Sequence, residues 1–253
     1  MTTRVPVLNG GFDALTLPEV VDWAIAWVRD GRRGYLCTVN VAILMMMRRD
    51  PRLQRIVDRA ALVVADGRPI VWSSRLANER LPDRVAGIDL IDALAGRAAR
   101  EGFGLYLLGA RRPVVEGAAR RLLAAHPGLS IRGVADGYFG SADALERARA
   151  IRRSGAQLLL IGMGVPRQEF FLEEQWDELG VNLAIGVGGS FEVLAGARRR
   201  APRWWQQVGL EWLWRLGQEP RRLGPRYLDT NCRFIGHVVR EIVATRFPRR
   251  LPA

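Results

Sequence analysis

The amino-acid sequence predicts an α/β protein, a mostly parallel sheet covered by helices, with a small basic helical appendage at its C-terminal end. Three observations carry that reading. Short apolar, β-branched runs alternate with amphipathic segments through residues 1–195, the pattern of strands buried under covering helices. Of the 253 residues 49% are hydrophobic, enough to bury a sizeable core in one large domain or two small ones and to exclude global disorder. Past Gly196 the strand pattern stops, and residues 196–253 carry 13 Arg against 4 acidic residues where residues 1–195 carry 25 against 22. The expected division is a sheet domain over 1–195 and the appendage over 196–253.

In chain order the strands are read at Val5–Leu8, Tyr35–Asn40, Ala61–Ala65, Leu105–Leu108, Ile131–Ala135, Leu158–Ile161 and Leu183–Val187, several of them closed by Gly, Asn or Asp. The first helix opens on Thr16-Leu17-Pro18-Glu19, a capping box in which Thr16 accepts from the Glu19 amide and Glu19 answers back. It carries Val20, Val21, Ala24 and Trp27 on one stripe and stops at Gly31. Further helices follow at 41–49, 68–77, 87–100, 113–125, 143–153 and 166–178. In the appendage Arg203–Leu216, Pro220–Leu228 and Phe234–Thr245 read as helices, with Trp204, Trp205, Trp212 and Trp214 set among arginines. About half of these tryptophans are expected to pack the appendage onto the sheet domain.

Composition excludes several chemistries. All 38 basic residues are Arg, which removes Schiff-base lysines, Walker-A loops and kinase-type phosphate lysines. His126 and His237 are the only histidines, too few for zincin motifs or His-rich metal centres. Cys37 and Cys232 are far apart and in no C-x-x-C, as expected of two small hydrophobes in a reducing compartment. The net charge of +12 calls for an anionic partner, and three quarters of that surplus lies in the last 58 residues. Codon bias explains Arg over Lys but not this asymmetry. The opening MTTRVPVLNGGFDAL has no basic region followed by an apolar stretch, and runs such as Val41–Met47 fall well short of the ~20 residues of a spanning helix. The expectation is a cytoplasmic chain, or one lying on a membrane without crossing it.

In an open parallel sheet the ligand lies outside the carboxyl ends of the strands, which singles out four loops: Thr38-Val39-Asn40, Ala65-Asp66-Gly67, Gly137-Tyr138-Phe139 and Gly162-Met163-Gly164-Val165-Pro166-Arg167-Gln168-Glu169. The last is Gly-rich and enters a helix, so its amides could face a phosphate, or its glycines could serve only close strand–helix packing. It is not a dinucleotide fingerprint, because Arg167 stands where the third Gly would be. Asp66 follows Ala61–Ala65, a run apolar enough for a central strand buried on both faces. A carboxylate there is partly desolvated and could act as a general base; the alternative is an Asp-Gly turn whose carboxylate only bonds nearby amides. Asp136-Gly137 repeats the arrangement and is the internal rival. No Asp-x-Asp occurs, so leaving-group charge would fall to Arg and helix N-termini and not to Mg²⁺ or Mn²⁺.

Taken together, these motifs resemble a family. Thr38-Val39-Asn40, Ala65-Asp66-Gly67, Gly137-Tyr138-Phe139, Gly162-Met163-Gly164-x-Pro166-x-Gln168-Glu169, Gly186-x-Gly188-Gly189-x-Phe191, Arg200-Ala201-Pro202 and Gly209-Leu210-Glu211-Trp212 occur in the order seen in WecG/TagA/CpsF glycosyltransferases. That resemblance implies a Rossmann-like core and a metal-free, cofactor-free, inverting bacterial enzyme. Such an enzyme moves a sugar from a UDP-sugar to a polyprenyl-diphosphate-linked saccharide in cell-surface polysaccharide synthesis. It implies Asp66 as base, Thr38 and Asn40 in the same pocket, Gln168 near the donor or acceptor sugar, and Tyr138, with loop glycines Gly162, Gly164 and Gly188, beside the donor. In the appendage it implies diphosphate-binding arginines at Arg215 and Arg222; a third such position falls on Pro225, with Arg226 next to it. Family members often lack an Asp where Asp136 stands, which weakens that rival.

The mechanism then expected is single displacement, Asp66 taking the acceptor hydroxyl's proton as the oxygen attacks the anomeric carbon and UDP leaves from the opposite face. Arg215 and Arg222, about two turns apart, would share one face of a helical path unless Pro220 breaks it. The tail would hold the enzyme peripherally on the inner face of the cell membrane. Two rivals stay open: a nucleotide-dependent oxidoreductase, which should show a complete Gly fingerprint, and a nucleic-acid-binding module using the tail's Arg and Trp, although no nucleic-acid partner is expected. The donated sugar and the oligomeric state, a homo-oligomer included, are not legible.

Overall fold

The computed structural model describes residues 4–76 and 80–246, apart from the side chains of 222, 223, 226 and 242–246. Its centre is a six-stranded parallel sheet. The strands are β3 (Gly34–Val39), β4 (Leu62–Ala65), β5 (Gly104–Gly109), β6 (Ser130–Ala135), β7 (Leu158–Gly162) and β8 (Leu183–Gly186), in the spatial order β4-β3-β8-β7-β5-β6. Strands β4, β5, β7 and β8 are buried at every residue, as strands covered on both faces must be.

Alternate strand residues feed opposite layers. Leu36, Leu62, Val64, Leu105, Leu107, Leu158, Leu160, Leu183 and Ile185 meet the apolar faces of α1 (Leu17–Arg29), α5 (Gly87–Glu101) and α6 (Arg112–Ala125). On the other face Cys37, Val39, Val63 and Ala65 pack with α2 (Val41–Met47), α3 (Pro51–Asp58) and α4 (Arg68–Leu76). Beside them Tyr106, Leu108, Leu159 and Ile161 pack with α7 (Ala144–Arg153) and α8 (Arg167–Leu179).

Three readings of the sequence need correction. Val5–Leu8 is not a strand of the sheet: β1 (Val5–Val7) turns at once and pairs antiparallel with β2 (Gly10–Phe12), a run too Gly-rich to read as a strand. The hairpin covers the sheet edge instead. Asp13 donates its N–H to the Val63 carbonyl and accepts the Val63 N–H on its carboxylate, both at 2.8 Å, so edge strand β4 does not present these groups unpaired. Second, Arg203–Leu216 is two helices, α10 (Arg203–Gln207) and α11 (Glu211–Gln218), parted at Gly209, whose φ of +68° an L side chain rarely adopts. Third, Pro220–Leu228 and Phe234–Thr245 are one helix, α12 (Pro220–Arg246), running through Pro225. Burial of Thr230 and Phe234 and the contact of α12 with α2 hold the intervening turn helical. The chain turns at Glu219, so Arg215 and Arg222 stand on different helices. The short helix α9 (Ser190–Leu194) completes the elements.

The first helix keeps its capping box, in which one Glu19 oxygen accepts both the Thr16 N–H and hydroxyl at 2.7 Å. Asp13→Ala should leave the Val63 N–H without an acceptor and cost about 1–3 kcal/mol. Thermal melts should show a Tm lower by about 2–12 °C, and amide exchange should rise first along β4.

Candidate active site

Because all six strands of the sheet run one way, their carboxyl ends deliver six loops to one edge. These loops and the appendage helices enclose a pocket of about 350 Å³, lined among others by Asn40, Asp66, Ala110, Gly137, Tyr138, Gly162, Gly188, Trp212 and Arg215. A smaller recess of about 50 Å³ adjoins it, and Asn40, Asp66, Gly188 and Arg215 border both.

Asp66 is the first residue past β4, pinned by its N–H to the Val39 carbonyl at 2.8 Å. The two Asp-Gly sites differ. The Asp136 carboxylate accepts the Tyr138 N–H at 3.0 Å, as in an Asp-Gly turn that only bonds nearby amides, whereas no hydrogen bond to the Asp66 carboxylate occurs among the described residues. Burial lifts the Asp66 pKa to about 6; Arg215 and Arg84 pull it down, Glu211 and Asp89 push it up.

The other expected residues divide. Asn40 closes β3 and caps α2, its side chain accepting the Ile43 N–H at 3.1 Å. Thr38 borders the recess and not the main pocket, and its hydroxyl is spent on the Gly186 carbonyl at 2.8 Å, tying β3 to β8. Gln168 also borders the recess, 2% exposed, and donates from Nε2 to Glu169 at 2.8 Å. Tyr138 stands on the rim, 68% exposed. Gly162 serves packing, since a Cβ there would lie 2.6 Å from the Phe191 ring; Gly164 and Gly188, at φ +81° and +52°, shape the loops. Arg222 and Arg226 fall on α12, but their side chains lie outside the described residues.

Arg84 was not singled out by any sequence signal, yet it anchors the appendage. Its guanidinium donates to Glu211 at 2.6 Å and to the Gln206 side chain at 3.1 Å, and Glu211 also accepts from Arg215 at 3.2 Å. Arg200 grips Asp89 with two bonds of 2.7 and 2.6 Å, and Arg198 pairs with Glu219 at 2.6 Å. Glu211 is half-buried among these cations and its pKa is lowered against the pull of its own burial. Two of the arginines lining the pocket, Arg167 and Arg199, have no carboxylate partner among the described residues. Of the four tryptophans, Trp205 packs between Trp204 and Trp214, and Trp212 meets Tyr227 edge-on. Among the described residues no three His, Cys, Asp or Glu side chains gather as a metal site.

With this geometry in view, the comparison with known families is decisive. The model of the "Glycosyl transferase WecG/TagA/CpsF family" matches residues 5–248. The chain belongs to this family. A Bacillus subtilis (strain 168) protein named N-acetylglucosaminyldiphosphoundecaprenol N-acetyl-beta-D-mannosaminyltransferase is 32% identical over 220 residues, covering 87% of this chain and 83% of that protein. The WecG/TagA/CpsF match spans both the sheet and all of α12, so the pocket lies wholly within the matched region.

The raised Asp66 pKa has a consequence for stability. Between about pH 4 and 6 the folded chain holds a proton that the unfolded chain releases, so folding weakens as pH rises through that window. Asp66→Asn should therefore leave stability unchanged below pH 4 and raise it above pH 6, by about 2 kcal/mol after discounting for pocket water. Melts of both proteins across pH 4–8 check this.

Proposed function

We propose that this chain transfers a sugar from a UDP-sugar to a polyprenyl-diphosphate-linked saccharide, with inversion, without a metal ion, in cell-envelope polysaccharide synthesis. The observation that carries the reading is the Asp66 carboxylate. It lies unclaimed by backbone amides among the described residues, at the mouth of a buried strand and opposite Arg215, in a pocket with the volume of a small-molecule site. The named activity of the Bacillus subtilis relative supports the substrate class and makes UDP-N-acetylmannosamine the first donor to assay.

Asp66 takes the proton of the acceptor hydroxyl as that oxygen attacks the anomeric carbon. A base with a pKa near 6 is ionised at neutral pH yet more basic than an exposed aspartate, the compromise that general-base catalysis favours. Charge developing on the departing diphosphate is met by planar guanidinium groups, for which Arg167 and Arg199 are placed along the pocket. The tail arginines Arg222 and Arg226 are assigned to the acceptor diphosphate with Arg215.

Residues 196–253 act as the membrane-facing part. On α12 Leu228, Ile235 and Val239 recur at helical spacing and are 69%, 61% and 53% exposed, with Trp204 exposed on α10. An apolar stripe with Arg221 at its N-terminal end and Arg233 and Arg240 to one side suits an anionic headgroup layer. Among the described residues no helix is long and apolar enough to cross a membrane.

Asp66→Asn should lower transfer by roughly 10² to 10⁴ while UDP binding and the fold persist, and EDTA should leave the wild-type rate unchanged. Radiolabelled transfer to a short-chain polyprenyl-diphosphate sugar reads both; turnover in Asp66→Asn with an inactive Asp136→Asn would move the base to Asp136.

The pH dependence tests Arg215 separately. Transfer should rise through about pH 6 as Asp66 ionises. Removing the Arg215 charge leaves Glu211, Arg84 and Asp89 facing Asp66, so Arg215→Ala should move that limb to higher pH besides slowing turnover. An unmoved limb in a pH–rate profile with the soluble acceptor would separate Arg215 from the base.

A further inference from the structure

The recess beside Asp66 is walled by Thr38, Asn40, Ser190 and Gln168, and Gln168 is the wall whose buried acceptor is unmet. The Thr38 and Ser190 hydroxyls are both given to backbone carbonyls, of Gly186 and Val187, and the Asn40 oxygen caps α2. The Gln168 carbonyl oxygen is buried and has no partner among the described residues, while its amide nitrogen donates to Glu169.

Glu169 is itself 4% exposed, and its second oxygen is also buried without a partner among the described residues. No cation neutralises it among the described residues: burial alone lifts its pKa to about 7, and the bond from Gln168 is the main opposing influence. Its field reaches the buried Cys37, whose thiol is pushed up by burial first and by Glu169 second. A carboxyl in such a place costs stability. Adjacent residues on a helix also point about 100° apart, so the Gln168–Glu169 contact is not a by-product of helix geometry. It depends on Gly186, where an added Cβ would come within 2.6 Å of the Gln168 amide nitrogen.

We infer that Glu169 is a positioning residue that turns the Gln168 amide so that its carbonyl oxygen accepts a hydrogen bond from a hydroxyl or acylamino N–H of the sugar held against Asp66. In its ionised form, populated at and above neutral pH, the carboxylate can only accept, so it fixes the amide nitrogen on its own side and the carbonyl on the other. The recess is the subsite for that sugar substituent. This inference rests on the transferase reading given above.

The test is Glu169→Met, which keeps the side chain's length and removes its acceptor, compared with Glu169→Gln, Gln168→Leu and the Glu169→Met/Gln168→Leu double variant. Transfer from a UDP-N-acetylhexosamine, UDP affinity and Tm are measured for each. Glu169→Met should melt no lower than wild type, bind UDP unchanged, and lose about 10- to 100-fold in kcat/KM for one sugar substrate, as expected for an unmade buried hydrogen bond. Gln168→Leu should show the same loss, the double variant no more, and Glu169→Gln should recover most of the rate because its carbonyl can still accept. A rise in the donor KM places the recess on the transferred sugar, a rise in the acceptor KM on the acceptor sugar. Wild-type kinetics in Glu169→Met, additive losses in the double variant, or a Tm that falls with activity would overturn the inference while leaving the transferase reading intact. If the wild type transfers from no UDP-sugar, both fall.

Discussion

The carboxylate at the mouth of β4 sets the terms for the rest of the molecule. Leu62–Ala65 is buried throughout, so the residue after it emerges at the strand end between neighbouring loops, with its carboxyl largely withdrawn from water. Left alone, a carboxylate in that setting would take up a proton. Arg215 and Arg84 offset the desolvation and Glu211 and Asp89 limit the offset, so Asp66 rests at about 6, between an exposed aspartate and a neutral acid.

That balance explains the wiring of the appendage. Helices α10–α12 bring a large share of the positive charge, which would repel itself and the arginines of the sheet domain if none of it were paired. Glu211, Asp89 and Glu219 each accept from an arginine at 2.6 Å, two of those arginines coming from the segment after α9 and one from the loop before α5. These pairs are partly shielded, so their geometry matters more than surface ion pairs would. Their clearest effect is orientation. Glu211 holds Arg84 and Arg215 together, and so holds the sheet domain and the appendage in one arrangement about Asp66.

The site is also where this fold gives up stability. Asp66 and Glu169 are carboxyls raised by burial to about 6 and about 7, close to the same strand ends, where a hydrophobic side chain would be cheaper. Elsewhere Asp13 is satisfied by Val63 and Arg4, although Asn9 Oδ1 and Trp27 Nε1 are also buried without a partner among the described residues. Uncompensated groups at the pocket suit a binding site, because a donor or acceptor left unmet by the protein is open to a ligand.

The layered α/β class and the strands β3 to β8 were legible in sequence because each rests on local composition and periodicity: a buried parallel strand must be apolar along its length, as Leu158–Ile161 is. Asp66 was legible as a candidate for the same reason, since it follows such a strand directly. The tetrapeptide Val-Ala-Asp-Gly, common to both, did not separate it from Asp136, and only the family resemblance favoured it; the structure adds that the Asp136 carboxylate is taken up by the Tyr138 N–H. The strand Val5–Val7 was assigned to the wrong sheet, and α12 was read as two helices, because hairpin pairing and burial against α2 are not local. Arg84 carried no signal at all: 127 positions separate it from Glu211, and only the closing of the appendage over the strand ends makes them partners. Local residue choice determined which elements form and where a carboxylate emerges. Tertiary packing alone decided which charges face it, because electrostatic and desolvation energies depend on distance in space and not on separation along the chain.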